Sequence, residues 1–323
     1  MLFQESHENR YFDQSARLML RLHELMVAGT DESEEGEQVR DEMDYPWYQL
    51  SQEEQDVIGG LSADLYTIGE DQPSPSADDV SSEIVQEVTD LYDRQDWSGL
   101  LNFMREKQAS LPRADVAYYR GVCWQHLGQP AIFAEFLTEA VRLTPNNRAF
   151  DAVRMHALIQ SQQLDRAMER AREIAESEGD WRQLLTAGGV FFLAARESDA
   201  AESRHSYEKA IRLAERGIAL APKLEESGGE PTDEARSSCL RAHLDRIWSY
   251  DQIDQPEKAI EACNDALQLD RENSFALIMR GWLQSPVQQE GASNDFHAGI
   301  EQQISARPAL EIPVATFPVT ASS

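Results

Sequence analysis

Seven histidines, three cysteines and 58 carboxylates are the residues with which this chain of 323 residues could do chemistry. A helical zinc site needs two histidines about one turn apart, and a cysteine site needs short paired spacings. His126, His156, His205 and His243 each stand alone, and Cys123, Cys239 and Cys263 form no short pair. Each cysteine sits inside an apolar helical pattern, as a small reduced core residue does. A phosphate loop needs glycines at set offsets followed by a lysine or a strand context. Gly59-Gly60, Gly188-Gly189 and Gly228-Gly229 have neither. Serine and cysteine nucleophile motifs are absent, and carboxylates are so abundant that pairs on a helix face carry no signal. The sequence points away from an enzyme, and neither a cofactor nor a metal is expected.

What remains is recognition by surface, and charge narrows it. The formal net charge is −29, and residues 1–110 hold 26 acids against 7 bases. Such a field repels phosphate backbones and anionic lipid, which disfavours direct nucleic-acid or membrane binding and suits a basic protein partner. A 41% hydrophobic and 27% charged composition fits a soluble folded chain. No window approaches the roughly 18 apolar residues of a membrane span. Met1 to Glu8 lacks the basic and apolar regions of a signal peptide, so a cytoplasmic address is expected. Oligomeric state is left open.

The elements that must position any site are helical throughout. Tyr11, Leu18, Leu22 and Leu25 recur at helical steps and predict one amphipathic helix ending near Gly29. Asp31 to Gln38 is acidic without a core face and reads as an exposed loop or a helix start. The aromatics of Met43 to Leu50 flank Pro46 and are expected to pack from a turn. Ser51 with Glu54 matches a capping box for a helix to about Tyr66, weakened by Gly59-Gly60 unless something packs closely there. Residues 1–70 thus form an acidic helical N-terminal module, and 71–80, broken by Pro73 and Pro75, a linker.

From Ser81 the pattern changes to helix pairs. In the best copy Gly121 faces a second helix, Trp124 packs beside it, Gly128 ends the first helix, Ala140 is small and Pro145 stops the second. This unit resembles the tetratricopeptide repeat (TPR), whose period is about 34 residues, with Phe133 replacing a usual alanine and suggesting a bulge or wider spacing. Upstream, Ile84, Val88 and Leu91, then Trp97 to Lys107, make a degenerate copy closed by Pro112. Arg148 to Gly179 continues in frame. Trp181 to Arg196 pairs with Tyr207 to Ala221, with an excess at Glu197 to Ser206 that reads as a loop or helix extension, and a surface loop at Leu224 to Pro231 follows. A fifth pair is built on Leu244, Ile247 and Tyr250 with Ala259, Cys263 and Ala266; Leu277 and Gly281 begin a further helix. The resemblance implies an all-α fold, a TPR-like α–α solenoid of about five helix pairs over residues 81–284. It is completed by a capping helix at 285–306 and an extended or disordered tail at 307–323.

The resemblance also implies a function. In this family the first helices of successive pairs line a concave surface that binds peptides, so the chain is expected to be a protein–protein interaction scaffold or adaptor. The family's lining positions fall on Tyr92; on Tyr118, Val122, Gln125 and His126; on His156; on Phe192; and on Arg241, Trp248 and Asp251. Tyr118, Phe192 and Trp248 are the expected peptide anchors. The carboxylate clamp of chaperone-tail binders needs lysine, asparagine and arginine where this chain has Tyr118, Val122, Ala152 and His156, so that specialisation is not expected. The alternative reading is an acidic holding chaperone or nucleic-acid mimic that masks a basic protein.

Overall fold

The computed structural model describes residues 9–69, 74–76, 80–222 and 233–284, and among them there are helices and no strand. In chain order they are α1 (Arg10–Val27), α2 (Glu34–Trp47), α3 (Gln52–Tyr66), α4 (Ser82–Asp93), α5 (Trp97–Lys107), α6 (Arg113–His126), α7 (Pro130–Leu143), α8 (Arg148–Gln160), α9 (Leu164–Ala175), α10 (Trp181–Glu197), α11 (Ala200–Leu220), α12 (Asp233–Gln252), α13 (Pro256–Leu269) and α14 (Ser274–Gln284). This is an all-α fold of TPR-like helix pairs behind three N-terminal helices. Two compact units divide between Phe150 and Asp151, within α8. The loop at Leu224 to Pro231, the capping helix and the tail expected from the sequence lie outside the described residues.

The pairs are recognisable by one repeated turn. Gln95, Gly128, Gln162 and Asp254 are all left-handed, with φ of 56°, 79°, 61° and 60°. Each ends the first helix of a pair in the same way. Gly128 N–H donates to Gln125 O and Gln129 N–H to Trp124 O, and the corresponding amides after Gln95, Gln162 and Asp254 repeat both bonds. The next residue but one starts the second helix, and in α7 and α13 it is a proline, Pro130 and Pro256, whose missing N–H costs nothing there. The α10–α11 pair lacks the turn: α10 ends in extended backbone at Ser198 and α11 begins at once, so the sequence excess there is helix. Left-handed backbone crowds the Cβ of a glutamine. Gln162→Gly should therefore raise stability by about 0.5–1 kcal/mol in urea unfolding, whereas Asp254, a residue tolerated in that region, gains less.

Packing within the first unit explains the glycines. A Cβ on Gly121 would lie 2.7 Å from Leu137 Cδ2 and 3.1 Å from Phe133 Cδ2. Phe133 is fully buried and α7 runs unbroken past it. No bulge forms, because the absent side chain of Gly121 makes room for the phenyl ring. A Cβ on Gly60 would collide with the Arg105 guanidinium, which is why α3 tolerates a weak helix former. The Ser51–Glu54 capping box forms as expected, with Ser51 N–H donating to Glu54 Oε2 at 2.8 Å. The acidic run starts α2, capped by Ser33 Oγ, with Glu34, Glu35 and Glu37 at the positive end of the helix dipole. The expected turn at Pro46 is corrected: Pro46 lies in the last turn of α2, where its missing N–H forfeits a single bond, and Tyr48 N–H still reaches Asp44 O at 3.3 Å.

The N-terminal helices are joined to the first repeats by buried polar contacts as well as apolar ones. Ile58, Leu61 and Leu65 give α3 a fully buried stripe. At its end Asp64, 1% exposed, takes Arg105 Nη2 at 2.8 Å and Arg120 Nη2 at 3.0 Å. Arg120 also donates to Thr67 Oγ1 at 3.0 Å. Burial is the largest influence on both partners, pushing the Asp64 carboxyl up and the Arg120 guanidinium down. From α1, Phe12 stacks on Trp124 and Asp13 accepts from Gln129 Nε2 at 2.6 Å. The second unit has its own hub on α8. Asp151, also 1% exposed, is held by Arg154 at 2.9 Å, by Arg170 at 2.7 Å and by Gln183 Nε2 at 2.7 Å.

Candidate functional site

Helix α6 carries two opposed stripes with different fates. Arg113, Arg120 and Trp124, at helical spacing, are occupied by α1 and α3: Arg113 Nη2 donates to Thr67 O at 3.1 Å, and Arg120 and Trp124 make the contacts above. Asp115, Tyr119 and His126 lie on the other side. There Tyr92 of α4 sits edge-on to Trp97 with ring centroids 5.4 Å apart, and His126 stacks flat on Trp97 at 3.9 Å. Tyr92 is close enough to Tyr119 to help hold its phenol up, and burial pushes both to about 12. Asp115, Tyr119 and Tyr92 are half-buried and His126 is exposed. The result is an aromatic face with one carboxylate in it.

That carboxylate has an unusual setting. Burial alone pushes Asp115 up to about 6. A carboxyl raised in the folded state favours folding while protonated, so its contribution is complete below the unfolded value near 4 and is lost as pH rises through about 6. The first turn of α6 offsets part of this cost by favouring negative charge. Asp115→Asn should therefore raise stability at pH 7 by about 1–2 kcal/mol and change it by under about 0.5 kcal/mol at pH 4. Urea unfolding at the two pH values checks this, and an equal gain at both would contradict it.

In the second unit the first helices α8, α10 and α12 bring polar groups together. Arg241 Nε donates to Asp245 Oδ1 at 3.0 Å. His156, with Gln160 at 3.1 Å, is pushed down to about 4 by burial and then by the charge of Arg241. Gly189 stands beside this group, and a Cβ there would meet Asp245 Oδ2 at 3.8 Å, an ordinary contact. Its neighbour Gly188 packs on the α11 backbone instead, with Ala210 O 3.3 Å from a Cβ position.

The residues expected to line a groove divide by burial. Tyr118, Val122, Phe192 and Trp248 are 4%, 1%, 4% and 6% exposed. Tyr118 stacks on Phe150 at 4.9 Å, and Phe192 leans on Tyr207 at 6.2 Å. These side chains are committed to packing among their own helices. Tyr92, Gln125, His156, Arg241 and Asp251 are half-buried, and His126 is exposed. The structure brings Tyr92 and His126 together through Trp97, and His156 together with Arg241. Sequence reasoning passed over Asp115 and Tyr119. Asp115 stands at the second repeat position, itself a lining position, so the signal was there; Tyr119 lies one residue past a lining position and had none.

Among the described residues no cluster of three or more histidine, cysteine or acidic side chains could hold a metal ion, and no helix is long and apolar enough to cross a membrane. No family model matches the chain, and no curated protein matches it. Among solved structures the chain is similar to MamA AMB-1, at 17% identity and a TM-score of 0.41, covering 58% of this chain and 98% of that one. It is similar to the P58(IPK) TPR domain at 15% identity and a TM-score of 0.31, covering 94% and 76%. It is also similar to Acl4, the assembly chaperone of RpL4, at 12% identity and a TM-score of 0.31, covering 70% and 99%. None of these likenesses bears on what the chain binds.

Proposed function

We propose that the protein is a protein–protein interaction scaffold whose first-helix faces bind a peptide or protein partner. In this proposal residues 1–70 form a module that supports the helix pairs of 81–284. One observation carries the reading: the two stripes of α6 differ, one being filled by contacts with α1 and the end of α3, the other keeping Tyr119 and His126 partly open, with Tyr92 of α4 beside it. Interface cores favour partly exposed aromatics of this kind because they supply contact area at low entropic cost.

The acidic-mimic alternative draws on α4, where Glu83, Glu87, Asp90 and Asp93 are all exposed and no base occurs. Salt separates the two, since a solvated acidic surface is screened and a partly buried aromatic face much less so. The test is capture of a partner by the whole chain at about 0.05 M and about 0.5 M salt, with the Tyr92→Ala/His126→Ala pair as the variant. Binding that survives salt and is lost in the variant supports the aromatic face. Binding that collapses in salt and persists in the variant supports the mimic.

A further inference from the structure

We propose that Asp115, one helical turn from Tyr119, receives a lysine or arginine side chain of the bound protein. This rests on the scaffold reading and names the chemistry of its partner. The ground is a contrast between half-buried Asp115 and the carboxylates that are buried elsewhere in the fold. Asp64 is held by Arg105 and Arg120, Asp151 by Arg154 and Arg170, and Asp245 by Arg241. Glu139 is held by Arg142 at 2.7 Å, and Glu234 by Arg182 at 2.6 Å. Glu54, 9% exposed, is met instead by Asn9 Nδ2 and by Ser51 N–H, each at 2.8 Å, so every one of these carboxylates has a donor within the fold. The Asp115 carboxylate has no ion pair or side-chain hydrogen bond among the described residues.

The surroundings suit a cation from outside. Nothing cationic lowers the Asp115 carboxyl, and it stands on the same helix face as Tyr119, one turn away. Tyrosine ring faces attract a cation, and Tyr119, with Tyr92 beside it, supplies them here. The neighbouring α4 adds four exposed acids and no base, so a basic segment meets complementary charge as it approaches. The base that follows α4, Arg94, is turned back on its own helix end, where Nε donates to Asp90 O at 2.9 Å and Nη2 lies 3.9 Å from Glu87. A neutral apolar segment would leave the carboxylate buried and unanswered, a cost that a lysine or arginine removes.

The test uses the full chain and two labelled decapeptides, five Arg-Gly repeats and five citrulline-Gly repeats, compared by fluorescence anisotropy. Citrulline keeps the shape and removes the charge. The wild type should bind the arginine peptide about tenfold more tightly than the citrulline peptide, and Asp115→Asn should reduce that preference to under about threefold. The Glu83→Gln/Glu87→Gln double variant should keep most of it, which separates the site from the diffuse acidic field. Equal affinity of the wild type for the two peptides would overturn the proposal, as would a preference that survives Asp115→Asn. So would a loss equally large in the α4 double variant. If Asp115→Asn still captures the protein partner that the wild type captures while the peptide preference was never present, the cation site fails and the scaffold stands.

Discussion

Asp64→Ala should destabilise the first unit by about 3–5 kcal/mol, the loss expected when one member of a buried ion pair is removed and the others stay. The reason is geometric. Arg120 is 3% exposed, and its Nε already has no hydrogen-bond partner among the described residues. Without Asp64 its charge would keep only Thr67 and Gln108 as neutral acceptors, the latter at 3.2 Å. A buried pair is not in itself strong evidence for stability, because desolvating both charges is costly and apolar replacements of similar volume can be neutral. The account therefore predicts asymmetry: Asp64→Leu combined with Arg120→Met should recover at least half of the loss seen in Asp64→Ala. Chemical denaturation of the three proteins gives the answer. A single-variant loss under about 1 kcal/mol would show the hub to be solvated and weak.

Trp124→Ala should cost about 3–5 kcal/mol, the range for truncating a large core aromatic. Trp124 is completely buried and stacks on Phe12 with ring centroids 6.3 Å apart, so the cavity would open between α6 and α1. Trp124→Phe should cost under about 1.5 kcal/mol, because much of the ring volume is kept. The indole N–H gives a further reason, as Nε1 is buried without a partner among the described residues and its removal relieves a polar group. Unfolding curves for the two variants separate the volume lost from the polar atom lost. A Trp124→Phe variant as unstable as Trp124→Ala would mean that the indole N–H has a partner of real strength.

What the sequence made legible was local. The capping box at Ser51 and Glu54, the span of α5 from Trp97 to Lys107 and the close approach at Gly121 follow from spacing over a few residues. The repeated turn was half legible. Gly128 advertises left-handed backbone, whereas Gln95, Gln162 and Asp254 adopt it without being glycine, held by the same two amide bonds. What stayed hidden was long-range. Nothing near Asp64 in sequence announces that Arg105 and Arg120 will close on it, and nothing marks Phe12 as a partner for Trp124.

The candidate site shows the same limit. Repeat positions placed Tyr118, Phe192 and Trp248 on the lining face, but position cannot tell an exposed ring from one covered by the next helix. Phe150 covers Tyr118 and Tyr207 leans on Phe192. Tyr92 and His126 keep surface because Trp97 sits between them rather than over them. Asp115 was recognisable only once the donors that meet the buried carboxylates were located, since its distinction is the lack of such a donor among the described residues.

The most direct measurement places a photo-crosslinking amino acid at His126, on the open stripe of α6, and in a second protein at Arg142, exposed on the second helix α7. Both are irradiated with the captured partner. The account predicts a covalent adduct from position 126 and none from position 142. Adducts of equal yield from both positions, or from 142 alone, would contradict the claim that the first-helix face is where this protein meets its partner.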